Sequence, residues 1–370
     1  MKGQIIIVYG GTSCEHDISI ITALYAYNAA NLQAYEKTLV YLRNGEFFIG
    51  DKLKDISSYI DFQKSCFDRV FFYKGGMYRY KKPKKCFLEV DCALICAHGG
   101  EGENGALQGY FEIADIAYTS AKVYSSSLLM DKVKTKKALE YKGYSVLPYC
   151  VVKKEGDCNY CQIEEKLGYP VIIKPARLGS SIGIAKAKNR EELDLAVETG
   201  LMYDDKLLVE KCLDDFMEIN IAAMKSKGET ILSIPERPII DGDFLTFEDK
   251  YVVIDKCSLK KEIPAKIAKR LESKLNLISQ KLYEDFELDG VVRIDYLIKD
   301  KEIFVNEINT IPGSLAYYLF APKDINMTKL VNILVEEAIE YHKKQKKLIK
   351  NFSSNILSHY NGNKVPPIKK

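Results

Sequence analysis

Two short runs constrain this chain more than any other feature. Ile5–Tyr9 and Val90–Ala97 are apolar at almost every position, and each leads into a glycine pair, Gly10-Gly11 and Gly99-Gly100. A strand with apolar side chains on both faces has to be covered on both faces, which is the pattern of a parallel sheet under helices. Helical segments follow both runs, at Ile18–Leu32 and from about Ala106, and another strand is predicted at Lys37–Leu42. Residues 1–124 are therefore expected to form a parallel α/β unit. Functional loops in such sheets lie at the carboxyl ends of strands, where both glycine pairs fall.

The pattern changes near Ser125. A helix at Asp131–Tyr141 leads to a strand at Tyr149–Lys153, a helix at Ile163–Leu167, and strands at Pro170–Lys174 and Ile182–Ala187. The last two flank a glycine loop directly, so they are expected to pair as a hairpin and not through a crossover. A helix at Arg190–Glu198 and a strand at Leu207–Lys211 complete a central unit, 125–212. A third unit, 213–347, has longer strands, a long helix near Pro264–Phe286 and a last one near Met327–Lys347. The remainder, 348–370, holds Asn361-Gly362-Asn363 and Pro366-Pro367 and reads as a disordered tail.

Composition closes off several function classes. The 54 basic and 51 acidic residues leave a formal charge of +3, without the basic surplus that a nucleic-acid binder concentrates on one face. No apolar run approaches the roughly 18 residues that span a bilayer, and the short apolar stretch before Gly10 is too brief for a signal-peptide core. The expectation is a cytoplasmic protein that meets neither membrane nor nucleic acid. The ten cysteines are scattered, and Cys158 and Cys161 form a CxxC with no second pair at zinc-ribbon spacing. Reduced thiols acting as small apolar groups are expected.

Two constellations carry chemistry. Lys174-Pro-Ala-Arg-Leu-Gly179-Ser180-Ser181-Ile-Gly183 lacks the residue order of a Walker loop. Its glycines would still let backbone N–H groups and the hydroxyls of Ser180 and Ser181 close over phosphate oxygens, with Lys174 as a point charge. By composition alone, an ordinary hairpin turn accounts for the same residues equally well. The second constellation is Arg293-Ile-Asp295 with Glu307-Ile-Asn309. Strand periodicity puts each pair on one face, and a hairpin turning near Lys301 sets Asp295 opposite Glu307 and Arg293 opposite Asn309. Two carboxylates and an amide oxygen then converge as hard donors suited to Mg²⁺, beside an arginine suited to a transferring phosphoryl group. A solvent-facing polar stripe is the competing account. Against it, the apolar residues Val292, Ile294, Val305 and Ile308 fix the opposite face as core.

The motifs, taken in order, resemble those of the D-alanine–D-alanine ligases of the ATP-grasp superfamily. They are Gly10-Gly-Thr-Ser-Cys-Glu15-His, His98-Gly-Gly-Glu-Gly-Glu-Asn-Gly-Ala-Leu-Gln108-Gly, Met130-Asp131-Lys132, the Lys174 loop, Val209-Glu210-Lys, Arg293-Ile-Asp295 and Asn306-Glu307-Ile-Asn309-Thr-Ile-Pro-Gly313. The resemblance spans about residues 4–340. It implies an α/β chain with a Rossmann-like N-terminal domain followed by a two-domain ATP-grasp fold. It also implies ATP-dependent joining of two D-alanines through a D-alanyl phosphate, giving D-Ala-D-Ala, ADP and phosphate for peptidoglycan synthesis. By the same resemblance Lys132 and Lys174 hold nucleotide phosphates, with Ser181 and Lys250 also at the nucleotide. Glu210, Lys211 and Leu213 match the adenine-binding strand, and Glu218 the ribose-binding carboxylate. Asp295, Glu307 and Asn309 match the ligands of two Mg²⁺ ions, with Mn²⁺ as a substitute. Arg293 and the N–H of Gly313 match the group that stabilises the oxyanion. Glu15 matches the carboxylate that holds the first substrate's ammonium, and His98 the histidine of that pocket. Asp249-Lys250-Tyr251 resembles a lid whose Tyr251 would bond Glu15 and Ser180 on closure, keeping water from the acyl phosphate. Relatives are commonly dimers, so a homodimer is expected alongside ATP and small amino-acid substrates.

One position departs from the pattern. The family usually places a serine five residues after the glycine of Pro-Gly to bind the second substrate's carboxylate, and here that position is Tyr318. The phenol hydroxyl would bind a carboxylate placed farther out, or the ring would exclude carboxylate-bearing acceptors, or the backbone would shift so that Ser314 or another group binds ordinary D-alanine. A ligase with a different acceptor is thus the standing alternative. A non-catalytic nucleotide-binding relative would have lost its metal-binding oxygens, and all three are present.

Overall fold

The computed structural model describes residues 2–155, 159–239, 261–349 and 352–354. Strand β1 (Gly3–Gly10) sits inside the first sheet, and no residue of Ile5–Tyr9 is more than 1% exposed. It runs parallel to β2 (Tyr35–Arg43). The same sheet holds β3 (Glu46–Ile49), β4 (Asp68–Tyr73), β5 (Gly76–Arg79), β6 (Cys86–Glu89), β7 (Cys92–Ile95) and β8 (Ala117–Tyr118). The order is β6-β5-β4-β3-β2-β1-β7-β8. Because β1 and β7 are parallel neighbours, with Ile5 beside Cys92, their two glycine loops emerge side by side at one edge. The helix His16–Ala29 packs on β1, and the C-terminal helix Met327–Lys346 packs on β7 and β8.

This sheet has the expected parallel core and adds an antiparallel half. Only β2, β1, β7 and β8 are parallel, whereas β3 to β6 form an antiparallel meander. Its strands are short, and two of its connections are two-residue turns at Asn44-Gly45 and Lys74-Gly75 with φ of 50° and 75°, and 45° and 77°. Such left-handed pairs match strand twist and close tight hairpins. The helix predicted at Ile18–Leu32 begins earlier and ends at Ala29, and the strand predicted at Val90–Ala97 narrows to Cys92–Ile95.

The second sheet contains β9 (Tyr149–Lys153), β10 (Val171–Pro175), β11 (Ala185–Ala187) and β12 (Lys206–Lys211) in the order β11-β10-β12-β9. The β10–β11 hairpin forms as expected, with Val171 opposite Ala187. Residues 182–184 belong to its loop and not to the strand. The helices Tyr160–Leu167 and Arg190–Gly200 bury Ile163, Leu167, Leu193 and Val197 against this sheet. Side chains of the other face, among them Ile172, Lys174 and Glu210, line a cleft.

The third sheet follows with β13 (Met217–Ser226) and β14 (Glu229–Leu232). A small pair, β15 (Arg237–Pro238) and β16 (Lys261–Glu262), stands beside it, and β17 (Val291–Lys299) and β18 (Glu302–Asn309) complete the order β14-β13-β17-β18. The helix Lys269–Asp285 buries Leu275, Leu282 and Tyr283. It starts later than the predicted Pro264 because the segment up to Ala268 is not helical. In β17–β18, Asp295 lies opposite Glu307 and Arg293 opposite Asn309, the expected register. A bulge follows, since Tyr296 pairs with Val305 and leaves Asn306 over. Without it Val305 and Ile308 could not both face the core, where both are buried.

Among the described residues no helix is long and apolar enough to cross a membrane. Cys92 and Cys96 are free thiols buried in the core. Cys158, Asp249-Lys250-Tyr251 and most of the expected tail lie outside the described residues.

Candidate active site

The loops after β1 and β7, the open face of β10–β12 and the β17–β18 hairpin meet around a cleft of about 510 Å³. Of the residues expected at the site, Glu15, His98, Lys132, Lys174, Ser180, Ser181, Glu210, Lys211, Leu213, Glu218, Arg293, Asp295, Glu307, Asn309, Gly313 and Tyr318 all line it. Lys250 and Tyr251 lie outside the described residues.

One end of the cleft is built on buried charge. Asp131 caps the helix Lys132–Tyr141 by accepting from the N–H groups of Val133 and Lys134, both at 3.1 Å, which aims Lys132 at the cleft. Lys132 donates to the carbonyl of Leu178 in the glycine loop and stands 4.0 Å from Glu307. One turn along the same helix, Lys136 is 1% exposed and pairs with Glu210. Lys174, at the end of β10, holds the other Glu210 oxygen at 2.6 Å. Burial by itself would raise the Glu210 pKa, but Lys136 and Lys174 overcome it and hold the carboxyl down at about 2. Conversely, burial tends to lower the Lys174 pKa, and Glu210 more than reverses this, so its ammonium is held charged. The Glu210 side chain thus faces two lysines, a role the adenine-strand resemblance did not indicate.

The glycine loop bends toward the first sheet. Ser180 and Ser181 have φ of 52° and 62°, and the Ser180 hydroxyl donates to Glu15. Two glycines make room for that carboxylate. A Cβ on Gly99 would come within 2.7 Å of Glu15 Oε2, and one on Gly179 within 2.6 Å of the same atom. Two members of the expected Tyr251–Glu15–Ser180 contact are therefore together in the described structure.

A polar network joins the first sheet to the segment after β18. The Ser314 N–H donates to Thr22 Oγ1 at 3.2 Å, Thr22 bonds His98 Nε2 at 2.8 Å, and His98 Nδ1 lies 2.8 Å from the Ile311 carbonyl. The Ile311 contact assigns the proton to Nδ1 and leaves Nε2 to accept from the threonine hydroxyl. Burial lowers the His98 pKa, with the charge of Glu15 pulling the other way, which agrees with that neutral form. Beside it, Glu103 accepts from the N–H groups of Gly99 (2.7 Å) and Ile311 (2.9 Å). Burial and the nearby charge of Glu15 push its carboxyl up to about 7. After Gly313, three consecutive residues, Ser314, Leu315 and Ala316, have φ of 51°, 52° and 48°, held by the burial of Leu315 and Ala316.

The β17–β18 hairpin supplies the remaining charge. Arg293 grips Asp295 with two bonds of 2.7 Å, and Asn309 Nδ2 donates to Asp295 at 3.1 Å. Burial tends to lower the Arg293 pKa, but Asp295 raises it, so the guanidinium stays charged. Strand pairing carries this row sideways. Glu307 pairs with Asp295, Asp295 with Asn220, and Asn220 bridges to Glu236. All four line the cleft in one file across the strands. Tyr318 does not stand open at the far end of that file: its hydroxyl donates to Glu236 at 3.1 Å.

Family models described as the D-ala D-ala ligase N-terminus and C-terminus match residues 4–121 and 138–337. The chain belongs to the D-alanine–D-alanine ligase family. It is 36% identical over 358 residues to the D-alanine–D-alanine ligase of Thermosipho melanesiensis, which covers 95% of this chain and 97% of that relative. Among solved structures, the D-alanine–D-alanine ligase of Coxiella burnetii shares the fold, with a TM-score of 0.81 at 24% identity over 94% of this chain and 96% of that one. The VanG D-Ala:D-Ser ligase of Enterococcus faecalis superposes with a TM-score of 0.77 at 26% identity, covering 91% and 99% of the two chains.

Several side chains in or directly behind this ligase-family cleft were not anticipated from the sequence. Glu103 lies within the His98 motif, and Lys136 stands four residues after Lys132 on one helix face, so both had local cues. Asn306 was marked by the slip in apolar phase between Val305 and Ile308. Thr22, Asn220, Glu236 and Lys261 reach the cleft only through tertiary pairing.

Proposed function

We propose that the protein is an ATP-dependent ligase that joins two D-alanines through a D-alanyl phosphate. The observation that carries this reading is the convergence of Lys132 and Lys174, Glu15 and His98, and Arg293 and Gly313 on one cleft. The two lysines would neutralise nucleotide phosphates, and the Ser180–Ser181 loop would close over them. Glu15 would hold the first substrate's ammonium, turning its carboxylate toward the phosphates. Arg293 and the Gly313 N–H would stabilise the oxyanion as the second substrate's amine attacks and phosphate leaves.

The residues present fit Mg²⁺. Among the described residues no three carboxylate, imidazole or thiol groups come together as a cage. The hard donors are instead Asp295 and Glu307, on paired positions, with the Asn309 amide oxygen available on rotation of its present bond to Asp295. These three would hold the metal, which supplies charge neutralisation at the transferring phosphoryl group.

The reading includes units of 1–124, 125–212 and 213–347, supported by the three separate sheets, together with a cytoplasmic location and a homodimer that family resemblance implies. A second reading, the same donor with a different acceptor, is favoured by Tyr318 in the serine position. ADP release and product masses from purified protein with a panel of D- and L-amino acids separate the two, and ADP release indifferent to D-alanine would rule out both. Glu307→Gln should lower turnover on the order of a hundredfold with the fold intact, and near-native turnover would remove the metal assignment.

A further inference from the structure

We propose that Lys261 binds the carboxylate of the amine-bearing second substrate, and that Glu236 and Tyr318 are positioning residues that hold it there. The proposal rests on the ligase reading above, which requires a second amino acid to approach Arg293 from a side not taken by nucleotide or first substrate. Arg293 is gripped by Asp295, and the charges of Asp295, Tyr318 and Glu236 all act to keep its guanidinium protonated. His98, next to Glu15, also feels Arg293. Tyr318 and Glu236 line the same cleft as Arg293, and Lys261 joins them there through its contacts with both.

The hydrogen bonds within this wall decide which group can meet a carboxylate. Glu236 is 3% exposed, and one of its oxygens accepts from Tyr318 at 3.1 Å while the other lies 3.3 Å from Lys261 Nζ. A phenol has one proton, and here it is committed to Glu236, so Tyr318 has no donor left for a substrate carboxylate. Lys261 does. Its ammonium has three protons, of which Glu236 takes one, and the side chain is 37% exposed. The Nζ sits 4.5 Å from the centroid of the Tyr318 ring, so the ring that replaces the family serine also supports the cation. The two other lysines named at the cleft, Lys174 beside Glu210 and Lys132 beside the glycine loop, are the ones the ligase reading assigns to phosphate. The class of acceptor that fits is an α-amino acid with a free carboxylate.

D-alaninamide is the probe, because it can serve only as acceptor and lacks the carboxylate. Full-length protein is given ATP, Mg²⁺, D-alanine and an equal concentration of D-alaninamide, and the ratio of dipeptide to dipeptide amide is read by mass spectrometry. Wild type should favour the dipeptide at least tenfold. Lys261→Met should cut that preference tenfold or more while the KM for ATP stays put, and Lys261→Arg should keep most of it. Glu236→Gln and Tyr318→Phe should lower the preference by smaller factors, with the loss in acceptor KM and not in kcat. A competent wild type whose preference survives in Lys261→Met overturns the carboxylate site alone. A wild type that makes the amide but no dipeptide also overturns the site alone, and one whose ADP release is indifferent to D-alanine overturns the ligase reading and this site with it.

Discussion

Two glutamates in the cleft experience opposite fates. Glu210 is 1% exposed and is held down at about 2, whereas Glu103 at the cleft wall is pushed up to about 7. Burial raises both. At Glu210 two ammonium groups outweigh it, while at Glu103 the neighbouring charge is Glu15, which adds to it, and N–H donors only partly offset the sum. The end of the cleft around Lys174 therefore keeps its charge, while the end around Glu15 has a carboxyl pushed up to about 7. The same residue type does both jobs because the fold chooses its neighbours.

The contrast is broken most severely by Glu210→Gln. Lys136 and Lys174 would be left without their shared counter-charge, which should cost about 3–5 kcal/mol in urea unfolding. A loss below about 1 kcal/mol would show that the two lysines do not depend on it. Since its folded pKa is depressed, the Glu210 contribution is present above about pH 4.5 and lost as pH falls toward 2.

A smaller effect, of opposite sign in pH, belongs to Glu103. Its folded pKa is raised, so its favourable contribution is complete below about pH 4.5 and lost as pH rises through 7. Comparing unfolding of wild type and Glu103→Gln across that window should show a flatter profile in the variant by about 2–3 kcal/mol. Parallel profiles would mean that Glu103 ionises as it would in water.

The smallest effect tests the network beside Glu103. Thr22→Val removes the hydroxyl between Ser314 and His98, and should cost about 1 kcal/mol, or roughly fivefold in the KM of the first substrate. Thr22→Ser should restore it. Equal behaviour of valine and serine would show that the hydroxyl does not couple the two segments.

Legibility from sequence followed the range of the interactions. The β17–β18 register could be read because strand periodicity and one turn fix it, and Arg293, Asp295, Glu307 and Asn309 stand where that reasoning put them. The β10–β11 hairpin was legible for the same reason. The antiparallel meander was missed although Asn44-Gly45 is a strong hairpin cue, because its four- to six-residue strands are too short to show a period against the loops between them. The Glu210 pair with Lys136 and the Glu236 pair with Tyr318 join residues 74 and 82 positions apart, where no local pattern reaches.

The file Glu236, Asn220, Asp295, Glu307 makes the third sheet a ruler. Neighbouring strands repeat at about 4.8 Å, so the two outer glutamates are anchored about 14 Å apart by the hydrogen-bond lattice itself. Lengthening or shortening a loop leaves that interval unchanged, and moving a residue along its strand by one turns its side chain to the other face. The room between these four positions is then set by side-chain length at fixed graduations. Exchanging a single residue at one of those marks would change the room in the cleft while the interval between the marks stays fixed.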